Sequence, residues 1–423
     1  MLRKRSSLSL PAILGLALLG LAVVGILVYQ IPSVKVRLDW RVEIARAYLR
    51  GLFDPAGELP APIESIEPAT STPMPSATPT VTPIPSQPTP TDTPTATPTL
   101  TPTPIPAAFA LPVPGWEKQG PNNCGPATLA IYLRHYGWEG SEKEIATVLK
   151  PQTDDRNVNP EELVYYVRTH AGWLNAEFRV GGDVSLMKQL IAAGFPVQIE
   201  ESFYDITAYW IGDDKWAAHY FLLTGYDDAT QLFTGQDSYH GPNQTISYEK
   251  FDKEWKIFNR VYLLVYRPEQ EETLKSILGD NWDPDANRQH ALDVAKAEAE
   301  ADPNDAFAWF NVGSNEVYFG NYGFAANAYD KAREIGLPQR MLRYQFGPFF
   351  AYFHSGQTDD LMALTEYALK ITYNSEEALL WHGWALYRTG KTPEAIYEWR
   401  KALDANPNYT DAVYAMNFVG ATP

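Results

Sequence analysis

The sequence predicts an α+β domain followed by an all-α repeat array, both joined to a single N-terminal apolar helix. Three observations predict it. No charged residue falls between Arg5 and Lys35. Residues 108–268 place helix-period segments ahead of strand-like runs, the order of an α+β domain. After residue 285 the pattern is helical throughout, and small residues recur at intervals of 36 and 34 positions. A chain of 423 residues, 45% of them hydrophobic, has material for two or three domains. A formal charge of −17 excludes a basic nucleic-acid-binding face.

Residues 1–9 form a short tail carrying Arg3, Lys4 and Arg5. Residues 10–31 are almost wholly apolar (LPAILGLALLGLAVVGILVYQI), long enough to span about 30 Å of hydrocarbon as a helix. No small-x-small cleavage site follows, so the segment reads as an uncleaved transmembrane anchor. The basic tail argues for a cytoplasmic N-terminus, although Lys35, Arg37, Arg41, Arg46 and Arg50 crowd the other flank. The expected location is therefore the cell membrane, single-pass, with the later domains extracytoplasmic. Residues 32–55 read as a juxtamembrane amphipathic element or a plain helical spacer.

Residues 56–107 read as a disordered linker. Of the 39 residues from Pro68 to Pro106, 13 are Pro and 13 are Thr. Such a segment lacks the apolar side chains to build a core, and reaches at most about 120 Å at ~3.1 Å per residue. In 108–268 helices are expected near 126–136, 141–149, 160–168 and 184–193. Strands are expected at 196–200, 219–226, 231–236 and 260–266. Residues 269–285 are a connector. In 286–420, Gly320, Gly356 and Gly390 keep the same spacing as Ala332, Ala368 and Ala402. Small residues at fixed places let paired helices approach while aromatics fill the gaps. This resembles the tetratricopeptide repeat, with copies at about 305–337 and 376–408 and a degenerate one between. The resemblance implies a protein partner in a concave groove; packing against the preceding domain is the other reading.

Cys124 is the single cysteine, so no internal disulfide or cysteine metal cluster can account for it. A lone cysteine is ordinarily a small buried hydrophobe; its surroundings argue otherwise. The stretch reads Gln119-Gly-Pro-Asn-Asn-Cys124-Gly125-Pro126-Ala127-Thr-Leu-Ala-Ile-Tyr-Leu-Arg-His-Tyr136-Gly137. Pro126 suits a first helical turn, because its missing N–H would have no partner there. The sulfur then sits at the positive end of a helix, which favours thiolate. Gly125 allows a sharp turn and substrate approach. Gln119 can place its amide beside the Cys124 N–H, making an oxyanion hole.

Of seven histidines, six have structural readings, among them His240 in a turn. His219 differs because it opens the strand-like run His219–Tyr226, and Asp237 ends the next run. With a three-residue loop at 227–229, His219 and Asp237 lie directly opposite across the hairpin, about 5 Å apart at Cβ. Asp237 would then accept Nδ1–H of His219, leaving the other ring nitrogen for the thiol. A two-residue loop loses that direct opposition.

The Gln119…Asn-Cys124-Gly-Pro-Ala-Thr-Leu-Ala…Tyr-Gly block resembles the nucleophile motif of the bacteriocin-processing cysteine peptidases, cysteine peptidase family thirty-nine, and their stand-alone relatives. His219-Tyr…Gly-Tyr-Asp-Asp followed by Asp237 resembles their second motif. The resemblance implies a papain-like fold over residues 116–268. It further implies Cys124 as nucleophile, His219 as base and then acid, Asp237 as orienter and Gln119 as oxyanion donor, acting on a peptide substrate without metal or organic cofactor. In many relatives Pro follows the Asp, whereas Ser238 stands here. A leader peptide is not the expected substrate, since the chain has no nucleotide-binding motif. A catalytically inactive peptide-binding scaffold, or an acyl transferase on the same triad, are the alternative functions.

Overall fold

A computed structural model describes residues 10–63 except 30, 54 and 56, residues 105–150 except 113, and residues 157–204 and 208–423. It divides into two compact units. One holds residues up to Glu58 together with Tyr204–Ala217, and the other holds Leu59–Phe203 with Ala218–Pro423.

The first unit contains α1 (Leu10–Tyr29) and α2 (Pro32–Phe53). Among the described residues no helix is long and apolar enough to cross a membrane. The expected span over 10–31 is therefore helical but not supported as transmembrane. The segment 32–55 is one continuous helix to Phe53. Gly51 of α2 packs where a Cβ would meet the Cβ of Trp210 at 2.9 Å.

The second unit begins with β1 (Ala108–Ala110), α3 (Cys124–His135), α4 (Glu142–Leu149), α5 (Pro160–His170), β2 (Asn175–Arg179), α6 (Val184–Ala192) and β3 (Val197–Tyr204). It continues through β4 (Trp216–Asp227), β5 (Leu232–Asp237), β6 (Gly241–Ser247), α7 (Tyr248–Lys256) and β7 (Tyr262–Tyr266). The last residue of β3 and the first two of β4 fall in the other unit. The sheet runs β2-β7-β3-β4-β5-β6, with β1 pairing off this path onto β4. Its β2–β7, β3–β7, β4–β5 and β5–β6 pairs are antiparallel. Every expected helix and strand of 108–268 is present within a few residues. Three strands were not foreseen: β1, which lies off this path, and β2 and β6, its two ends, where short, polar sequences protect unpaired backbone; Gly241-Pro-Asn-Gln-Thr-Ile-Ser247 carries a proline, which is tolerated at an edge.

Two cores cover the sheet faces. Leu129, Tyr132 and Leu133 of α3, with Leu163 and Val167 of α5, pack on Tyr220 and Leu222. Met187, Leu190, Phe251 and Trp255 pack on Phe221 and Leu223 of the other face. Burying whole Leu, Phe and Met side chains is worth roughly 1.5–3 kcal/mol each.

The helices α8 (Glu271–Leu278), α9 (Pro284–Ala301), α10 (Ala306–Tyr318), α11 (Tyr322–Ile335), α12 (Met341–Tyr344) and α13 (Gly347–Ser355) follow. Then come α14 (Thr358–Ile371), α15 (Glu376–Arg388), α16 (Thr392–Ala405) and α17 (Thr410–Phe418). The stretch 269–285 is more than a connector, because Leu274 and Leu278 of α8 complete the second sheet core. Gly320, Gly356 and Gly390 adopt positive φ (71°, 85° and 80°) at the helix-to-helix turns, which is why glycine recurs there. Ala332, Ala368 and Ala402 are buried between helices. Of the expected linker 56–107, residues 64–104 lie outside the described residues. Its described ends are held in place: residues 60–63 are bonded to the helical array, and the carbonyls of Pro106 and Ala107 accept from Tyr226 Oη and Asp228 N.

Candidate active site

Cys124 is the first residue of α3, after Asn122 at φ 53° and Asn123. The loop before it is clamped from outside. Glu142, at the start of α4, accepts from Gly120 N at 2.9 Å and from Asn123 Nδ2 at 2.7 Å. Lys150 Nζ donates to the Asn122 carbonyl at 2.7 Å. Gly125 serves packing more than turning: a Cβ there would lie 3.3 Å from the Tyr220 ring and 3.4 Å from Val158. Its absence lets the helix start approach the strand that carries the histidine.

His219, Phe221 and Leu223 alternate onto one face of β4, as Phe233, Gly235 and Asp237 do on β5. Asp227 pairs with Leu232, so the loop is the four residues 228–231. A bulge between Leu223 and Gly225 then leaves Leu222 opposite Gln236. Continued, this register sets Asp237 opposite Phe221, two residues beyond His219. The expected direct opposition of His219 and Asp237 is thus corrected to a diagonal contact, within reach of these side chains. His219 Nε2 donates to Asp237 Oδ1 at 2.8 Å. The expected ring assignment is reversed as well: Nε2 faces the carboxylate, and Nδ1 is left for the Cys124 sulfur, to which His219 is also hydrogen-bonded.

The electrostatics follow from burial set against pairing. Burial alone would raise the Cys124 thiol, but the His219 hydrogen bond and charge, the Tyr220 backbone and the Lys150 charge hold it below its ordinary value. Burial alone would lower His219; Asp237 and Cys124 push it up to about 10. Asp237 is likewise opposed by burial, yet its bonds to His219 and His240 keep it well below the usual carboxylate range. The pairing therefore favours the thiolate–imidazolium form over the neutral thiol and imidazole. Two further carboxyls flank it on β3. Burial raises Glu201, on the His219 face, to about 8 against the pull of His219. Burial, then the charge of Cys124, raises Glu200 well above its ordinary range. Both shifts favour the neutral carboxyl, which lessens competition with Asp237 for the imidazolium and repulsion of the thiolate.

Gln119 reaches the site through the residue that departs from the resemblance. Its N–H donates to the Ser238 carbonyl at 2.9 Å, and Ser238 Oγ donates to Gln119 Oε1 at 2.8 Å. With Oε1 held, the amide N–H₂ is the end left to donate. The turn after Asp237 also places His240, read from sequence as a plain turn residue, with Nδ1 2.6 Å from Asp237 Oδ2. Tyr239 N and His240 N both donate to Oδ1. The signal for His240 was its i+3 spacing from an aspartate that starts a turn. Phe203 lies against the His219 ring, centroids 5.5 Å apart. Among the described residues no group of three or more His, Cys, Asp or Glu is placed to hold a metal.

Residues 110–263 match the model of the Peptidase_C39 like family. No curated protein matches the chain. Among solved structures, a putative C39-like peptidase from Bacillus anthracis is 17% identical, with 36% of this chain and 94% of that one covered at a TM-score of 0.29. The peptidase domain of Streptococcus ComA, a bi-functional ABC transporter, is 16% identical over 36% of this chain and 96% of its own, at 0.28. YrrB, a tetratricopeptide-repeat protein with an unusual peptide-binding site, is 16% identical over 34% and 88%, at 0.19. The family match places a C39-like peptidase domain on the stretch that carries Cys124, His219 and the antiparallel sheet.

Proposed function

We propose that this chain is a cysteine peptidase, tethered to a membrane by its N-terminal apolar helix, that hydrolyses peptide bonds through an acyl-enzyme. The observation that carries the reading is the relay Cys124–His219–Asp237, with Gln119 fixed by Ser238 beside it. The thiolate attacks the scissile carbonyl carbon, and the oxyanion is received by the Cys124 backbone N–H and the Gln119 amide. His219 gives its Nδ1 proton to the departing amine as the C–N bond breaks. It next takes a proton from water, whose oxygen attacks the thioester carbonyl, and Cys124 leaves as thiolate. Asp237 holds the ring and its charge throughout. The apolar run 10–29 and the basic residues before it support the tether and an extracytoplasmic domain.

The test is iodoacetamide alkylation of Cys124 in the full chain across pH 4–9. Because the thiol is held low, the labelling midpoint should fall below the unperturbed value of about 8.5. His219→Ala should move it up and slow labelling at neutral pH. A midpoint near 8.5 in the native chain, indifferent to that substitution, would sink the peptidase reading and leave the inactive peptide-binding scaffold. Product analysis on peptides separates hydrolysis from acyl transfer.

A further inference from the structure

The segment Leu59-Pro-Ala-Pro-Ile63 forms neither helix nor strand, yet it is held by the helical array at three points of its backbone. Arg333 of α11 is buried, 5% exposed, and spreads its guanidinium across the segment. Nε donates to the Pro60 carbonyl at 2.9 Å and Nη2 to the Ala61 carbonyl at 3.0 Å. The Ile63 N–H donates to Asp360 Oδ1 of α14 at 3.0 Å. Behind the segment these side chains are bonded to one another. Arg333 Nη1 reaches Asp360 Oδ1 and Tyr352 Oη, each at 2.8 Å. Tyr352 Oη in turn donates to Asp330 Oδ1 at 2.6 Å. Asp360 is fully buried.

These contacts select a backbone. Pro60 and Pro62 have no N–H, so the segment offers carbonyls to a fork of donors and a single N–H, from Ile63, to a carboxylate. Leu59 and Ala61 each precede a proline, which drives them to extended conformations. Such a peptide has little entropy left to lose on docking. A guanidinium fork engages two successive carbonyls where an ammonium would engage one.

We propose that Arg333, Tyr352 and Asp360 form a receptor in the helical array for an extended, proline-flanked peptide, and that Leu59–Ile63 occupies it in cis as a strap. The strap changes what the Pro/Thr-rich segment does. Ile63 is fixed at Asp360, while Ala107 is fixed by Asp228 N and the following β1 by β4. Both ends of 64–104 are thus held by one unit. With the strap seated, the five residues 54–58 lead from α2 to the docked segment. With it released, the chain between α2 and Ile105 lengthens to 51 residues.

The test uses the full chain and a labelled synthetic peptide of residues 57–65. Replacing Leu59–Ile63 by Gly-Ser-Gly-Ser-Gly should open the receptor to the peptide, with saturable anisotropy change. The native chain should bind it at least about tenfold more weakly, because the tethered strap competes at high effective concentration. Adding Arg333→Lys to the opened chain should abolish binding. Equal binding to the native and opened chains, or none to an opened chain that keeps its helical circular dichroism, overturns the proposal. Amide exchange in the native chain gives a reading that needs no variant. The Ile63 N–H should exchange at least about tenfold more slowly than in the free peptide. Exchange at the free-peptide rate overturns the receptor, and protection that grows with protein concentration overturns occupancy in cis.

Discussion

Ser238 fixes the position of Gln119 from both its backbone and its side chain. It follows Asp237, its carbonyl and hydroxyl both engage Gln119, and its hydroxyl lies 3.5 Å from Thr128 Oγ1 of α3. Ser238→Ala keeps the backbone bond and frees the Gln119 amide to rotate. We expect kcat/KM on a peptide substrate to fall about tenfold. Gln119→Ala, which removes the donor itself, should cost about 10²–10³. In neither variant should the pH midpoint of Cys124 alkylation move, because neither residue touches the thiol or imidazole charge. A shifted midpoint would place Ser238 in the relay rather than in the oxyanion support. Cys124, His219 and Asp237 were legible as candidates in the sequence because each carries its own chemistry and local context. Ser238, Glu200 and Glu201 were not, since a serine or glutamate gains a role there only from what folding brings beside it.

At the scale of elements, the glycines and alanines of the helical hairpins fix how near two helices lie. At Gly383 of α15 a Cβ would fall 2.3 Å from Trp399 Nε1, and that indole N–H is already spent on the Leu380 carbonyl at 3.1 Å. Trp399 is fully buried and cannot swing out. Gly383→Ala should therefore destabilise the chain by about 1–3 kcal/mol through overpacking, in spite of alanine's better helix propensity. Chemical denaturation followed by tryptophan fluorescence reads this; a stabilised variant would show the hairpin to be looser than it is here. The β4–β5 hairpin teaches the converse. Its strands were evident from their apolar runs, but its register was not, because a bulge and one extra loop residue are set by the neighbouring strands. That offset turned opposed residues into diagonal ones.

For the molecule as a whole, the helical array and the peptidase domain form one body. Asn287 of α9 is 2% exposed; its Oδ1 accepts from Val180 N at 3.0 Å and its Nδ2 donates to the Val180 carbonyl at 2.8 Å. Arg260 bridges Asp252 at 2.6 Å and Glu298 at 2.8 Å, and Asn311 Nδ2 donates to the Lys256 carbonyl at 2.8 Å. Asn287→Leu strands two buried backbone groups, each at about 1–3 kcal/mol. Unfolding of this variant should lose its single transition and resolve into two steps, the array detaching first. A single, unshifted transition would show that the interface contributes nothing. The repeats thus buttress the peptidase domain, whichever partners they also take. By itself the sequence determined the identity and order of the parts: an apolar N-terminal segment, a Pro/Thr-rich stretch, an α+β domain with Cys124, His219 and Asp237, and helices repeating at fixed spacing. Those follow from local periodicity, composition and short motifs, which act between near neighbours. Only the tertiary structure decided the register behind the His219–Asp237 contact, the buried glutamates around it, the docking of the repeats, and the strap on Arg333. Each depends on groups far apart in the chain whose burial and pairing exist only once they are packed together.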